Sequence, residues 1–253
     1  MSFSHAIART PSRNAGDGLT NASLGVPNID LMLTQHRNYL RILESLGLQV
    51  AVLDADEAFP DSCFVEDTAV VTESVAVITR PGAPSRRGEE IAIEPLLAVH
   101  RPIERIVAPG TVDGGDILVM GEHVLIGLSE RTNEEGAGQL TEIVEATGMR
   151  CTTLPAGNGL HLKSSINALG DQRLLMTNEF VDSPQLRGFE KIIIPDDETY
   201  AGNSLIVNGR VLVPADFPKT RALIDALGVE TIETQVSEFR KMDGGLTCLS
   251  LRL

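Results

Sequence analysis

The apolar positions between residues 28 and 46 fall on one side of a helix. Ile29, Met32, Leu33, His36, Leu40, Leu43 and Leu46 recur at the three- and four-residue steps that line a single helical face. Weaker helical patterns cover 89–100, 134–147 and 219–227, and the stretch before Lys191 is short. Short apolar runs beginning at positions 49, 104, 150, 191 and 230 predict strands. Between them lie apolar pairs joined by turn residues. Residues 69–71 turn at Glu73-Ser74 into 75–79, 117–120 turn at Gly121-Glu122 into 124–127, and 165–169 turn at Gly170-Asp171 into 174–177. The clearest hairpin is 205–207 turning at Asn208-Gly209 into 211–214, because a two-residue loop needs positive φ at both positions.

Loop, hairpin, helix and short strand thus recur about five times, with a period of roughly 40–50 residues. Such a period suggests radial repetition, with a terminal strand at 246–253 pairing with one at 5–10 to close a ring. An α/β domain with uneven spacing fits the periodicity equally well. No linker or low-complexity segment divides 1–253, so one domain is expected.

Composition narrows the class. The 253 residues are 42% hydrophobic, enough for a sizeable core, and no apolar run approaches the ~18 residues of a membrane span. The first ten residues lack the basic region and apolar stretch of a signal peptide. Three cysteines without CxxC spacing argue against a disulfide framework and a cysteine-rich zinc site, so a cytoplasmic setting is expected. The net charge of −14 disfavours nucleic acid and acidic membranes, and suits a cationic substrate or simply solubility.

Radial closure would gather the equivalent loops on one axis. Those loops carry Asp61 with Glu66-Asp67, Asp113-Gly114-Gly115-Asp116, His161-Leu162-Lys163, the stretch from Tyr200 to Ser204, and Asp243 through Cys248. A thiol, an imidazole and carboxylates from distant segments are the parts of an activated cysteine nucleophile. Each also has a plain structural reading: Cys248 as a packing residue, Asp113-Gly-Gly-Asp116 as a turn, His161 as a satisfied core histidine. Cys63 and Cys151 read as packing residues.

Taken together, Phe64-Val65-Glu66-Asp67, Arg80-Pro81-Gly82, Ser85-Arg86-Arg87-Gly88-Glu89, Asp113-Gly114-Gly115-Asp116, Arg131-Thr132-Asn133, His161-Leu162-Lys163-Ser164 and the Cys248-Leu249-Ser250 ending are more specific than any one. Their order resembles the dimethylarginine dimethylaminohydrolase family of the guanidino-group modifying superfamily, over essentially the whole chain. The resemblance implies an α/β fold, a five-fold pseudosymmetric propeller (pentein), in agreement with the repeat. It implies hydrolysis of methylated arginines to citrulline with release of dimethylamine or methylamine, through a covalent thiouronium and without metal or other cofactor. Cys248 matches the nucleophile, His161 the general acid/base, and Asp113 the carboxylate facing the histidine, where some relatives carry Glu. Asp67 matches the guanidinium ligand, Arg86 and Arg131 the clamp on the substrate carboxylate, and Asp61 with the Leu19 carbonyl the α-ammonium site. Phe64, Glu66 and Met242 would line or brace the pocket.

Arginine deiminase shares the triad, but its known members are longer and carry Asp where this chain has Lys163. A non-catalytic propeller that binds cationic amino acids or a protein is the third reading. The expected partner is a small cationic amino acid, and a homodimer is left open.

Overall fold

Among the described residues, fifteen short strands form five sheets of three, each with the same internal pattern. The computed structural model describes residues 2–170 and 172–253, so Asp171 of the turn expected at Gly170-Asp171 lies outside the described residues. The first sheet contains β1 (His5–Arg9) and β2 (Gln49–Leu53). The second is β3 (Ala69–Val71), β4 (Ala76–Ile78) and β5 (Ile103–Arg105); the third is β6 (Ile117–Met120), β7 (His123–Leu128) and β8 (Arg150–Pro155). The fourth is β9 (Ile166–Ala168), β10 (Arg173–Met176) and β11 (Glu190–Ile193); the fifth is β12 (Leu205–Val207), β13 (Arg210–Pro214) and β14 (Glu230–Thr234). The chain's last strand, β15 (Leu251–Arg252), returns to pair antiparallel with β1. In every sheet the middle strand runs antiparallel to one neighbour and parallel to the other.

Packing closes these sheets into a ring. Each of five apolar clusters joins two neighbouring sheets. Val70 and Val77 meet Val124 and Ile126, Leu118 and Leu125 meet Leu174 and Met176, and Leu175 meets Val211 and Val213. Val207 and Leu212 then meet Ala6, and Ile7 with Leu251 meets Ala76 and Ile78. Five interfaces among five sheets leave no open end. That is the propeller expected from the repeat.

Helices fill the wedges between sheets. In α1 (Ile29–Ser45), the Asn28 side chain accepts a hydrogen bond from Leu31 N and so caps the first turn. Its buried seam runs through Met32, His36, Tyr39 and Leu43, and the Tyr39 hydroxyl reaches Ser250 Oγ at 2.6 Å. The helix expected over 89–100 is instead a 3₁₀ turn, Glu89–Ala92, followed by α2 (Glu94–Ala98). Pro95 has no N–H to donate to the preceding turn, so the helix has to restart there. Two further helices, α3 (Glu134–Glu145) and α4 (Pro218–Asp225), lie where the pattern placed them. Asn208 and Gly209 take φ of 48° and 84°, the pair of positive values that their hairpin requires.

The C-terminal strand is shorter than expected. Of residues 246–253 only Leu251–Arg252 is strand, and Thr247–Leu249 is a 3₁₀ turn closed by Cys248 N on Gly245 O. The departure matters, because four other sheets also have a 3₁₀ turn just before their inner strand. These are Val65–Thr68, Gly114–Asp116, Leu162–Ser164 and Asp196–Gly202. The five turns meet at the axis.

Candidate active site

Each axial turn delivers one kind of chemistry. Val65–Thr68 carries Glu66 and Asp67, Asp113 immediately precedes Gly114–Asp116, His161 immediately precedes Leu162–Ser164, and Cys248 lies within Thr247–Leu249. Gly115 provides room for the histidine: a Cβ there would stand 2.6 Å from His161 Nδ1 and 2.9 Å from Asp67 Oδ1. Radial closure, one of the two readings the periodicity allowed, would bring acids, imidazole and thiol to one axis, and here they surround one cavity of about 140 Å³. Every candidate named from sequence lines it except Glu66: Leu19, Asp61, Phe64, Asp67, Arg86, Asp113, Arg131, His161, Met242 and Cys248.

His161 Nε2 lies 3.2 Å from Asp113 Oδ2 and 4.0 Å from Asp67 Oδ1. Asp113 is fully buried, and its other oxygen accepts Gly82 N at 2.8 Å. Asp67 Oδ1 accepts Gly115 N at 2.8 Å, while Oδ2 accepts Arg86 NH1 at 2.5 Å. Burial opposes charge on His161. The charge of Asp67, the Asp113 hydrogen bond and the charge of Asp116 outweigh it, raising the imidazole from 6.5 to about 9. Burial likewise works against ionised Asp67, but His161 and Arg86 bring it down to about 2. The thiol moves the other way: burial, then Glu66 and Asp67, push Cys248 up to about 12, with Lys163 a minor opposing influence. At neutral pH the empty site therefore pairs imidazolium with neutral thiol. Asp67, Asp113 and His161 also bring polar atoms within 4.8 Å of one another, and the two carboxylates can receive a guanidinium.

The two arginines that line the cavity differ in their partners. The Arg131 guanidinium has no hydrogen-bond or ion-pair partner among the described residues, so it is free to take a carboxylate entering the cavity. Arg86 is committed: Nε and NH2 bind Glu89, NH1 binds Asp67, and NH2 also reaches Phe64 O at 3.1 Å. Glu89 is 2% exposed and is a partner the sequence did not single out, since Glu90 beside it offered the same chemistry. Beside Arg131 lies Asp61, whose two oxygens each accept Leu19 N at 3.1 Å; burial raises its carboxyl above the ordinary value.

Glu66 lies behind the wall. Its Oε1 accepts Lys163 Nζ at 2.6 Å and Arg252 NH2 at 3.1 Å, and its Oε2 accepts the Thr247 hydroxyl at 2.7 Å. Arg252 also holds the carbonyls of Thr247 and Ser250. This buried lattice braces the turn that carries Cys248 without touching the cavity. Thr247 and Arg252 gave no signal in the sequence, because their role exists only once the last turn folds beneath the site.

The family model described as arginine deiminase matches residues 56–187, which include Asp113 and His161 and stop short of Cys248. The N(G),N(G)-dimethylarginine dimethylaminohydrolase of Pseudomonas aeruginosa is 47% identical over 252 residues, 99% of each chain. A solved structure of the Pseudomonas aeruginosa dimethylarginine dimethylaminohydrolase, a cysteine-to-serine mutant complexed with citrulline, is 46% identical. It covers all of both chains with a TM-score of 0.97. A second structure, a histidine-to-glycine dimethylarginine dimethylaminohydrolase adduct with S-methyl-L-thiocitrulline, has a TM-score of 0.96 at 46% identity, covering 99% of this chain and 100% of that one.

Proposed function

The chain belongs to the dimethylarginine dimethylaminohydrolase family, and on that premise we propose that it hydrolyses dimethylarginine to citrulline through a bond between Cys248 and the guanidinium carbon. One observation carries the reading: a thiol, an imidazole and two carboxylates line the same cavity as an arginine whose guanidinium has no partner among the described residues. The substrate guanidinium lies against Asp67 and Asp113, which hold it flat and oriented by charge-assisted hydrogen bonds. Arg131 takes the α-carboxylate, and Asp61 with the Leu19 carbonyl takes the α-ammonium. Phe64 and Met242 wall the alkyl chain. Residues 1–253 work as one catalytic unit, and the three free cysteines fit a cytoplasmic setting. No helix among the described residues is long and apolar enough to cross a membrane.

The cation does more than bind. His161 is already protonated at neutral pH and cannot take the thiol proton, so the bound guanidinium favours the thiolate and the proton leaves to solvent. Sulfur then adds to the central carbon, converting the cation to a neutral tetrahedral adduct. His161 gives its proton to the alkylated nitrogen, the C–N bond breaks, and dimethylamine leaves a cationic thiouronium on Cys248. Neutral His161 next takes a proton from water as the hydroxide adds. Collapse expels the sulfur, which takes the adduct's hydroxyl proton and returns to the thiol, and neutral citrulline is released.

Incubation with dimethylarginine, monomethylarginine and arginine, with citrulline and amine measured in each, tests the assignment. Dimethylamine and citrulline in equal amounts are expected from dimethylarginine. Ammonia from arginine as the main product would transfer the chain to deiminase chemistry.

The two arginines should separate in kinetics. Arg131→Ala is expected to raise KM roughly 10- to 100-fold at nearly constant kcat, the equivalent of ~1.5–3 kcal/mol for a hydrogen bond to a charged group. Arg86→Ala should instead lower kcat and thermal stability, because buried Glu89 and Asp67 lose their shared cation, at a cost of about 3 kcal/mol or more. Equal KM effects with unchanged stability would return Arg86 to the carboxylate clamp.

The pH profile follows from the same charges. The proton that His161 gives the amine is present in the free enzyme below about 9 and lost above it, so kcat/KM for methylarginine should fall through that region. Alkylation of Cys248 in the empty enzyme by neutral iodoacetamide should keep rising toward about 12. Parallel falls in both rates would contradict the assignment.

A further inference from the structure

Residues 19–26 form a strap whose first residues, Leu19, Thr20 and Asn21, line the cavity. Among the described residues none of their backbone groups bonds another backbone group, so side chains alone hold the strap down. There are two holds. One is Asp61, which accepts Leu19 N and faces the cavity. The other is Asp243: its Oδ2 accepts Asn21 N at 2.5 Å and the Thr20 hydroxyl at 3.2 Å, and the same hydroxyl is 3.0 Å from Lys241 O. The strap is bounded by Gly18, where a Cβ would stand 2.3 Å from Asp61 Oδ1, and by Gly25, which has φ of +83° and open space around it.

The two holds differ in kind. Asp61 must serve an incoming α-ammonium as well as Leu19, so substrate competes for it. Asp243 has no such second duty. It sits at φ 57°, a left-handed conformation that Asp tolerates better than most residues, and this aims its carboxylate at the strap. Its mounting is firm: a Cβ on Gly244 would stand 2.2 Å from Phe64, and one on Gly245 would stand 2.4 Å from Asn203. Its bonds to Thr20 and Asn21 are solvent-exposed, so water competes with them and the clasp can open at small cost.

We propose that Asp243 is a positioning residue, the latch that closes the 19–26 strap over the amino-acid end of the substrate and mounts that closure on the segment carrying Cys248. The proposal rests on the reading of this cavity as the methylarginine site. The latch sets how long substrate stays, and the chemistry beside His161 proceeds without it.

Asp243→Gly removes the acceptor while keeping the left-handed backbone easy, and Thr20→Val removes the hydroxyl from the opposite side. Asp243→Gly should raise KM for dimethylarginine about ten-fold and Thr20→Val about three-fold. The kcat of each should stay within about two-fold, since neither group meets the reacting atoms. Alkylation of Cys248 by iodoacetamide should be no slower. Hydrogen exchange of the ligand-free proteins should be faster over residues 19–24 and unchanged over 247–251, a readout independent of the substrate assignment. Wild-type KM and wild-type exchange in the Thr20 variant would overturn the latch, even if Asp243→Gly failed to fold. So would a fall in kcat together with slower alkylation, which would make Asp243 a support for the Cys248 turn instead.

Discussion

Cys248→Ser should yield no measurable citrulline from dimethylarginine while leaving the propeller folded. The reaction needs a nucleophile whose anion is accessible beside a cation. A serine hydroxyl in the same place keeps too little alkoxide at neutral pH to attack a guanidinium carbon whose charge is spread over three nitrogens. We expect turnover to fall by ~10,000-fold or more. The remaining thiols cannot substitute. Cys63 is buried outside the cavity and its thiol is raised strongly, first by burial and then by Asp61, while Cys151 packs beside α3. Folding should survive, because serine is close to isosteric and Cys248 Sγ has, among the described residues, one side-chain hydrogen-bond partner, the Thr247 hydroxyl at 3.9 Å. Circular dichroism and thermal melts would establish the fold, and citrulline assay the activity. Near-normal turnover by a folded Cys248→Ser protein would mean that another group is the nucleophile.

Much of this site was legible in the chain because the fold repeats. Once five loops share an axis, Asp67, Asp113, His161 and Cys248 have to face one another, and no contact need be known in advance. The hairpin at Asn208-Gly209 and the helix after Asn28 were legible for local reasons, a turn needing two positive φ values and an apolar stripe at helical spacing. What stayed hidden depends on partners chosen in three dimensions. Arg86 and Arg131 look alike in sequence, yet Glu89 and Asp67 absorb the donors of the first and nothing among the described residues absorbs those of the second. Glu66 was expected to line or brace the pocket, and it braces. Its side chain leaves the turn away from the cavity and meets Lys163, Thr247 and Arg252. The apolar run at 246–253 read as one strand, but only its end pairs with β1. The thiol requires the turn before it.

His161→Gly should separate the start of the reaction from its completion. His161 acts twice, giving a proton to the amine and then taking one from water, and glycine can do neither. Formation of the thiolate makes no such demand, since a bound cation favours it electrostatically. A probe whose leaving group needs no proton should therefore still react. With a haloamidine carrying the amino-acid end, Cys248 sulfur bonds the amidine carbon and halide departs with the carbon–halogen electron pair. The amidinium product then remains on the enzyme. Asp67 and Asp113 survive in the variant to hold the amidinium, and without His161 between them they have greater need of a cation. Mass spectrometry should find the adduct on the C-terminal peptide containing Cys248, at a rate within about ten-fold of wild type. Methylarginine turnover by the same protein should be negligible, because an unprotonated amine is a poor leaving group and water has lost its base. Turnover at the wild-type rate without His161 would rule out this mechanism whatever became of the probe. Loss of both reactions would show that thiolate formation itself depends on the imidazole, and the cation-driven step would have to be abandoned.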